Sequence, residues 1–246
     1  MSRPLSPAAR APRHRGARAL FTGRDGGVST GDHASLNLAR HVGDDEAAVE
    51  RNRALLAVEM GAPLVFVDQV HSADVHVLPS SGEVPVLTAD ALVTDRRDVA
   101  LAIMVADCLP VLLSDPEAGV VAVAHAGRQG LLGGVLQNTV QAMQGRGARP
   151  ERLEVSIGPS ICGACYEVPE SMREETAAQL PAARATTSWG TPALDLRAGA
   201  VAVLDAAGVP REAIAAEAPC TLEDERFFSY RRSSRTGRFA GVLRRE

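Results

Sequence analysis

The sequence predicts a mixed α/β (α+β) fold in a single domain, and three observations predict it. Short apolar runs bounded by Gly, Pro, Asp and Ser read as strands, and segments of helical spacing lie between them. No internal repeat or interdomain linker divides the 246 residues, a length that suits one large domain or two small ones. One stretch, Val120-Val121-Ala122-Val123-Ala124-His125-Ala126-Gly127-Arg128-Gln129-Gly130, joins both kinds of element. It reads as a strand covered on both faces that ends in a histidine, followed by a glycine turn and a helix start.

In chain order, residues 1–17 are rich in Ala, Arg and Pro and read as a disordered tail ahead of a domain over 18–246. The tail lacks the continuous apolar core of a secretory signal, and no window reaches the apolar length of a membrane span, so the expectation is a cytoplasmic protein. Arg18 to Thr22 is a strand candidate. A glycine loop from Gly23 to Asp32 follows, closed by Ser35-Leu36-Asn37-Leu38; it is either a functional loop or a mobile surface one. Asp44 can cap a helix through Ala47, Leu55, Leu56 and Met60, ended by Gly61 and Pro63. Strands follow at Leu64–Val67, around Val75 and Val77, at Thr88–Thr94 and at Val99–Val105. Leu109–Leu113 continues the apolar run after Asp107-Cys108, and Asp115 to Gly119 turns the chain into the central strand.

Beyond that strand, Leu131 to Met143 carries helical spacing, and Leu153 to Ile157 is a strand. A helix opens at Pro169 and Glu170 and runs to about Leu180. Pro181 to Pro192 reads as a connection, Leu194 to Ala207 as a helix closed by Gly208, and Phe239 to Leu243 as a last strand.

Charge narrows the function classes. A net charge of −4 offers no support for a nucleic-acid or membrane-surface role. The chain has no lysine, which removes Schiff-base chemistry and a P-loop lysine. Its four cysteines, Cys108, Cys162, Cys165 and Cys220, suit thiols or metal ligands in a cytoplasmic chain.

His71, Cys108 and His125 each stand where an apolar run stops. Two imidazoles and a thiolate suit zinc with a fourth position left for water. The separations lack the regularity of a zinc finger, and singly each residue has a plain explanation as a core thiol or a hydrogen-bonded histidine. A rival use makes Cys108 a nucleophile with His71 or His125 as base. Asp107 could orient the histidine, but as a strand neighbour of Cys108 it would face the opposite side. Cys162 and Cys165 form a C-x-x-C pair that, with Cys108 and Cys220, could build a structural four-thiolate zinc site; such sites usually carry two pairs. Anion binding is expected at the helix after Gly130, with Arg40, Arg128, Arg231 and Arg232 as sources of charge. Phe66, Tyr166, Phe227, Phe228 and Tyr230 could line a pocket for a planar base, with core packing the default for the phenylalanines.

Together, several stretches resemble the laccase-domain family, once described as multicopper polyphenol oxidases and now as purine nucleoside phosphorylases. They are Phe21-Thr22-Gly23-Arg24 with Gly26-Gly27-Val28-Ser29 and Ser35-Leu36-Asn37-Leu38, then Asp68-Gln69-Val70-His71, Ala106-Asp107-Cys108-Leu109-Pro110-Val111 and Ala124-His125-Ala126-Gly127. Ile157-Gly158-Pro159 with Tyr166-Glu167-Val168, and Phe228-Ser229-Tyr230-Arg231-Arg232 with Thr236-Gly237-Arg238, complete the set. The resemblance implies mixed β-sheets packed as a sandwich with flanking helices. It implies zinc, or copper, on His71, Cys108 and His125, the same residues serving as catalytic groups. It implies phosphorolysis of adenosine, inosine and methylthioadenosine, with adenosine deamination as a second activity. The alternatives are a peptidoglycan-precursor editing amidase and a copper polyphenol oxidase. Candidate substrate-binding residues are Asn37 and Gln69, from the matched stretches, with Arg40 and Arg231. The expected partners are purine nucleosides and phosphate, with no nucleic acid and no membrane, and the chain is expected as a monomer or homodimer. One departure stands out: where the family carries Trp then Arg after His-Ala-Gly, this chain has Arg128-Gln129.

Overall fold

The computed structural model describes residues 14–84 and 87–246. Its elements run β1 (Ala17–Phe21), α1 (Glu46–Met60), β2 (Leu64–Val65), β3 (Val75–Val77), β4 (Ala91–Thr94), β5 (Ala100–Val105), β6 (Leu109–Asp115) and β7 (Val120–Ala126). They continue with α2 (Arg128–Gly133), α3 (Val135–Gln144), β8 (Glu154–Ile157), α4 (Glu170–Gln179), β9 (Arg184–Thr186), β10 (Pro192–Leu194), α5 (Leu196–Ala206), β11 (Ile214–Ala215) and β12 (Phe239–Arg245).

Two mixed sheets make the body. One has the order β1-β12-β5-β2, the other β11-β8-β6-β7-β4-β3, and β9 and β10 form a separate hairpin. Each large sheet combines antiparallel pairs with parallel ones, β2 with β5 in the first and β3 with β4 and β8 with β11 in the second. Side-chain alternation sets the layering. In β5, Leu101, Ile103 and Val105 face the second sheet, where Phe227, Phe228 and Phe239 are also buried. Ala100, Ala102 and Met104 face the other way, toward Leu56 and Met60 of α1. In β7, Val121 and Val123 join the seam between the sheets, while Ala122, Ala124 and Ala126 pack with Val135, Leu136 and Val140 of α3. In β7 the helix-covered face is thus lined by alanines, while phenylalanines fill the seam, each seam phenyl contributing about 1.5–3 kcal/mol by burial. The expected sandwich of mixed sheets with flanking helices is what forms.

Several boundaries differ from the sequence reading. Asp45, rather than Asp44, caps α1, accepting from the Ala48 N–H at 2.7 Å, an interaction of about 1 kcal/mol. Asp44 instead accepts from Ser29 Oγ and Asn37 Nδ2. The glycine loop is pinned from α1 by buried Asn52, which accepts from Val28 N and donates to Ser29 Oγ, Ser35 O and Asn37 O. The helix expected over Leu131–Met143 is two helices, because Gly134 takes φ +96 between them. The connection Pro181–Pro192 contains a 3-10 turn and the β9–β10 hairpin, and α5 starts at Leu196 behind its Asp195 cap. Residues 14–17, assigned to the tail by sequence, are placed: His14 is buried between Ser114 Oγ (2.7 Å) and Ser156 Oγ (2.8 Å), and Arg15 pairs with Glu154. Residues 1–13 of that tail lie outside the described residues. Among the described residues no helix is long and apolar enough to cross a membrane.

Candidate active site and metal centre

Three chain reversals meet at one end of the sheet seam: the loop before β3, the bend between β5 and β6, and the end of β7. They bring His71, Cys108 and His125 together, with one ligand atom from each lying within 4.8 Å of the others. Cys108 Sγ is 3.8 Å from His71 Nε2, and the two imidazole rings meet edge-on with centroids 4.6 Å apart. His125 is buried, Cys108 half-buried and His71 exposed, so the cluster opens to solvent on the His71 side.

Asp90, fully buried just ahead of β4, organises two of the three. Its carboxylate lies 2.7 Å from His125 Nδ1 and accepts from the backbone N–H of Val70, His71 and Ser72 and from Ser72 Oγ. An ionised carboxylate only accepts, so Nδ1 carries a proton, and Nε2 is the nitrogen that a cation would take by displacing the proton there. The same bonds hold His71 in the left-handed region at φ 62. That conformation costs roughly 1–2 kcal/mol in a residue with a Cβ, less than the charge-assisted bonds return at about 1.5–3 kcal/mol each.

The glycines of the central turn are required by contact. A Cβ on Gly127 would stand 2.8 Å from His71 Cδ2 and 3.1 Å from Cys108 Sγ, so it would fill the space where the three donors face one another. A Cβ on Gly130 would meet Ser72 O at 2.8 Å.

The electrostatics favour a thiolate. Burial opposes ionisation of Cys108, but His125 and His71 beside it bring its pKa down to about 6. Burial likewise opposes charge on His125, and Cys108 and Asp90 overcome it, lifting it to about 9. Asp90 is held at about 2, burial being outweighed by its bonds from His125 and Ser72. Two imidazoles, a thiolate, a glycine cradle and a carboxylate behind one histidine form a donor set that fits a divalent ion such as zinc with a position to spare.

The centre lies in a cavity of about 440 Å³ whose lining includes Arg128, Tyr166, Tyr230, Arg231 and Arg238. The Arg231 guanidinium sits over the Tyr166 ring at 5.1 Å, and Arg238 over Tyr230 at 5.8 Å. Asp107 also lines this cavity, contrary to the alternation argument. It lies in the bend between β5 and β6 at φ 94, not in a strand, so adjacent side chains need not oppose. Its carboxylate accepts from Thr221 Oγ1 at 2.6 Å and Arg231 N at 2.7 Å, leaving the orienting of His125 to Asp90.

The sequence-derived substrate candidates divide. Arg231 and Gln69 line the cavity, but the Gln69 amide is bonded at both ends to the Met104 backbone. Asn37 is buried away from the lining, bonded to Ala39, Asp44 and Arg238 N, and so acts on the cavity through Arg238. Arg40 pairs with Glu50 beside a neighbouring groove, and Arg232 caps the carbonyls of Thr221, Leu222 and Phe227. The helix expected after Gly130 begins at Arg128, three residues before the expected start, and Arg128 lines the cavity while Gln129 is exposed. Cys108 stands apart from Cys162, Cys165 and Cys220, so no four-thiolate site forms; Glu223 takes the fourth place beside those three. Sequence reasoning missed Asp90, whose one local signal is a carboxylate inside an apolar run.

Fold and centre define a class: a sandwich of two mixed sheets carrying two histidines and a thiol in an open cavity at the end of the seam. Residues 18–246 match the family described as multi-copper polyphenol oxidoreductase laccase, and the chain belongs to that family. It is 52% identical over 233 residues to a Streptomyces coelicolor protein named purine nucleoside phosphorylase, covering 93% of this chain and 95% of that one. It is 39% identical over 253 residues to YlmD of Geobacillus stearothermophilus, which carries the same name, covering 96% and 92%. The solved structure of YlmD superposes with a TM-score of 0.86 over 94% of this chain and 92% of that one, at 36% identity. A Neisseria meningitidis protein superposes with a TM-score of 0.85 over 98% of both chains, at 38% identity.

Proposed function

We propose that the chain is a cytoplasmic, metal-dependent purine nucleoside phosphorylase acting on adenosine, inosine and methylthioadenosine, with adenosine deamination as a second activity. The observation that carries this reading is the convergence of His71, Cys108 and His125 at an open cavity walled by two tyrosines and three arginines. The name of the Streptomyces coelicolor relative supports the substrate class, and four free thiols suit a reducing compartment.

Each residue has a role derived from its surroundings. His71, Cys108 and His125 would hold the ion, with Asp90 fixing the His125 tautomer. A zinc bound there supplies Lewis-acid polarisation at its open position. Tyr166 and Tyr230 offer faces for a purine, and Arg231 and Arg238 are already stacked on them. Arg128, Arg231 and Arg238 supply the positive charge that phosphate needs beside the sugar. Zinc is favoured over an electron-transfer copper because the cavity's methionine, Met104, has its Sδ engaged 3.8 Å from the Arg53 guanidinium.

Purified protein is given inosine with and without phosphate, then adenosine and methylthioadenosine. Base release that requires phosphate, together with inosine formed from adenosine, is the expected result. Absence of phosphate-dependent release from all three nucleosides overturns the reading.

A further inference from the structure

A second cluster lies outside the cavity. One ligand atom each of Cys162, Cys165, Cys220 and Glu223 falls within 4.8 Å of the others. The two halves come from separate turns. Cys165 N and Tyr166 N both donate to Cys162 O, closing the C-x-x-C turn, and Asp224 N donates to Cys220 O, closing the turn that carries Glu223. A single β-bridge between Ser160 and Cys220 sets the turns side by side. Across them, Cys162 N points at Cys220 Sγ, 3.4 Å away, the N–H···S contact that supports a thiolate ligand. Arg197, from the first turn of α5, ties both segments together by donating to Ser160 Oγ, Ser160 O, Ala218 O and Pro219 O.

We propose that Cys162, Cys165, Cys220 and Glu223 form a second, structural zinc site that clips the segment after β8 to the segment before Phe227. Three sulfurs and a carboxylate complete a tetrahedron around zinc, leaving no open position. With Zn–S bonds of about 2.3 Å and a Zn–O bond of about 2.1 Å the ligand atoms would stand about 3.5–3.8 Å apart, which the present limit of 4.8 Å reaches by moving each donor a little over 1 Å at most. Three thiolates and one carboxylate on a divalent ion leave two negative charges, and the Arg197 guanidinium sits close enough to Cys220 and Cys162 for their charge to act on it. The clip bears on the cavity through its flanks. Ile161 and Tyr166 line the cavity, Ile161 N and Thr221 Oγ1 both donate to Asp107, and Arg231 donates to Glu167 O. The site would therefore position the Tyr166 wall without touching substrate.

The test separates this site from the cavity centre. The full chain carrying His71→Ala and Cys108→Ala lacks two donors of the first centre and keeps the second cluster whole. After gel filtration it should hold one zinc per chain by elemental analysis. Its three remaining thiols should resist a thiol reagent until the zinc is chelated. Adding Cys162→Ser and Cys220→Ser should abolish that zinc. A zinc-free chain with three freely titrating thiols, or with a Cys162–Cys165 disulfide, overturns the proposal, whatever the nucleoside assays give. The wild-type chain supplies a second arm that does not depend on the folding of those variants. It should hold two zinc ions, and Glu223→Ala, at an exposed position, should release one of them at a chelator concentration at least about tenfold lower, the least that an outer partner already costs. Equal retention by wild type and Glu223→Ala overturns the carboxylate as fourth ligand.

Discussion

The centre of His71, Cys108 and His125 and the cluster of Cys162, Cys165, Cys220 and Glu223 both bring one ligand atom per residue within 4.8 Å of the others. Their supports differ. The first is built on strand ends, braced by a fully buried carboxylate, with His71 held in a left-handed conformation and Gly127 leaving the space in front of the donors empty. The second is built on two turns laced together by Arg197, and none of its four side chains lines the cavity. Burial and neighbouring thiols push the Cys162 and Cys165 sulfurs up, whereas the imidazoles beside Cys108 bring it down. Closeness of donors alone therefore does not mark chemistry; what separates the two is that the first donor set faces a ligand-sized cavity and the second does not.

The sharpest way to break the comparison is to remove a donor from one side only. Cys108→Ser should cost the first centre more than about 100-fold in zinc affinity, beyond the loss of an outer partner, and should abolish phosphate-dependent base release. Zinc in the thiol cluster should stay. Loss of both ions on elemental analysis would mean that the two clusters are one coupled unit.

Asp90→Asn comes next. The amide places an N–H₂ group among donors from Val70, His71, Ser72 and His125, so at least one of those bonds is lost. We expect about 10–100-fold weaker zinc binding at the first centre and a destabilisation of about 3 kcal/mol, read by chelator competition and denaturant titration. Unchanged affinity would show that the carboxylate braces the loop and not the ligand.

Arg128→Ala should have a smaller effect, confined to the cavity. Losing one guanidinium from the proposed phosphate subsite should raise KM for phosphate about tenfold with kcat retained, as expected for a single charge-assisted hydrogen bond. This variant also probes the family departure at Arg128-Gln129. The charge stands on the residue that faces the cavity, and the following residue is exposed.

The three donors were legible because each ends an apolar run, and a polar side chain there must leave the core or be paid for by a partner. Asp90 was not, since its partners lie 18 to 35 residues away and only the assembled sheet brings them near. Arg238 belongs to a matched stretch, but its place in the cavity was not legible for the same reason: its backbone is held by Asn37, 201 residues distant. Strand alternation misled at Asp107 because the rule fails in a left-handed bend. The fold class was legible from periodicity, but the break at Gly134 and the β9–β10 hairpin depend on positive φ and on pairing that no local pattern displays.

The mildest test reads the opposite thiol shifts in metal-free protein. Cys108 is held down to about 6, so its thiolate is fully formed by neutral pH and is lost as pH falls through 6. Cys162 and Cys165 are pushed up, so their thiolates appear only as pH rises well into the alkaline range. Lowering a thiol's pKa by about three units raises its ionised fraction at pH 7 roughly 90-fold, but nucleophilicity falls with basicity, and the net gain is only about fivefold. Alkylation by iodoacetamide, mapped by peptide mass, should therefore label Cys108 first, with a rate that is flat above pH 7 and declines through pH 6. Labelling of Cys108 that instead climbs toward pH 9 would show that the imidazoles do not stabilise its thiolate, and the electrostatic contrast between the two clusters would disappear.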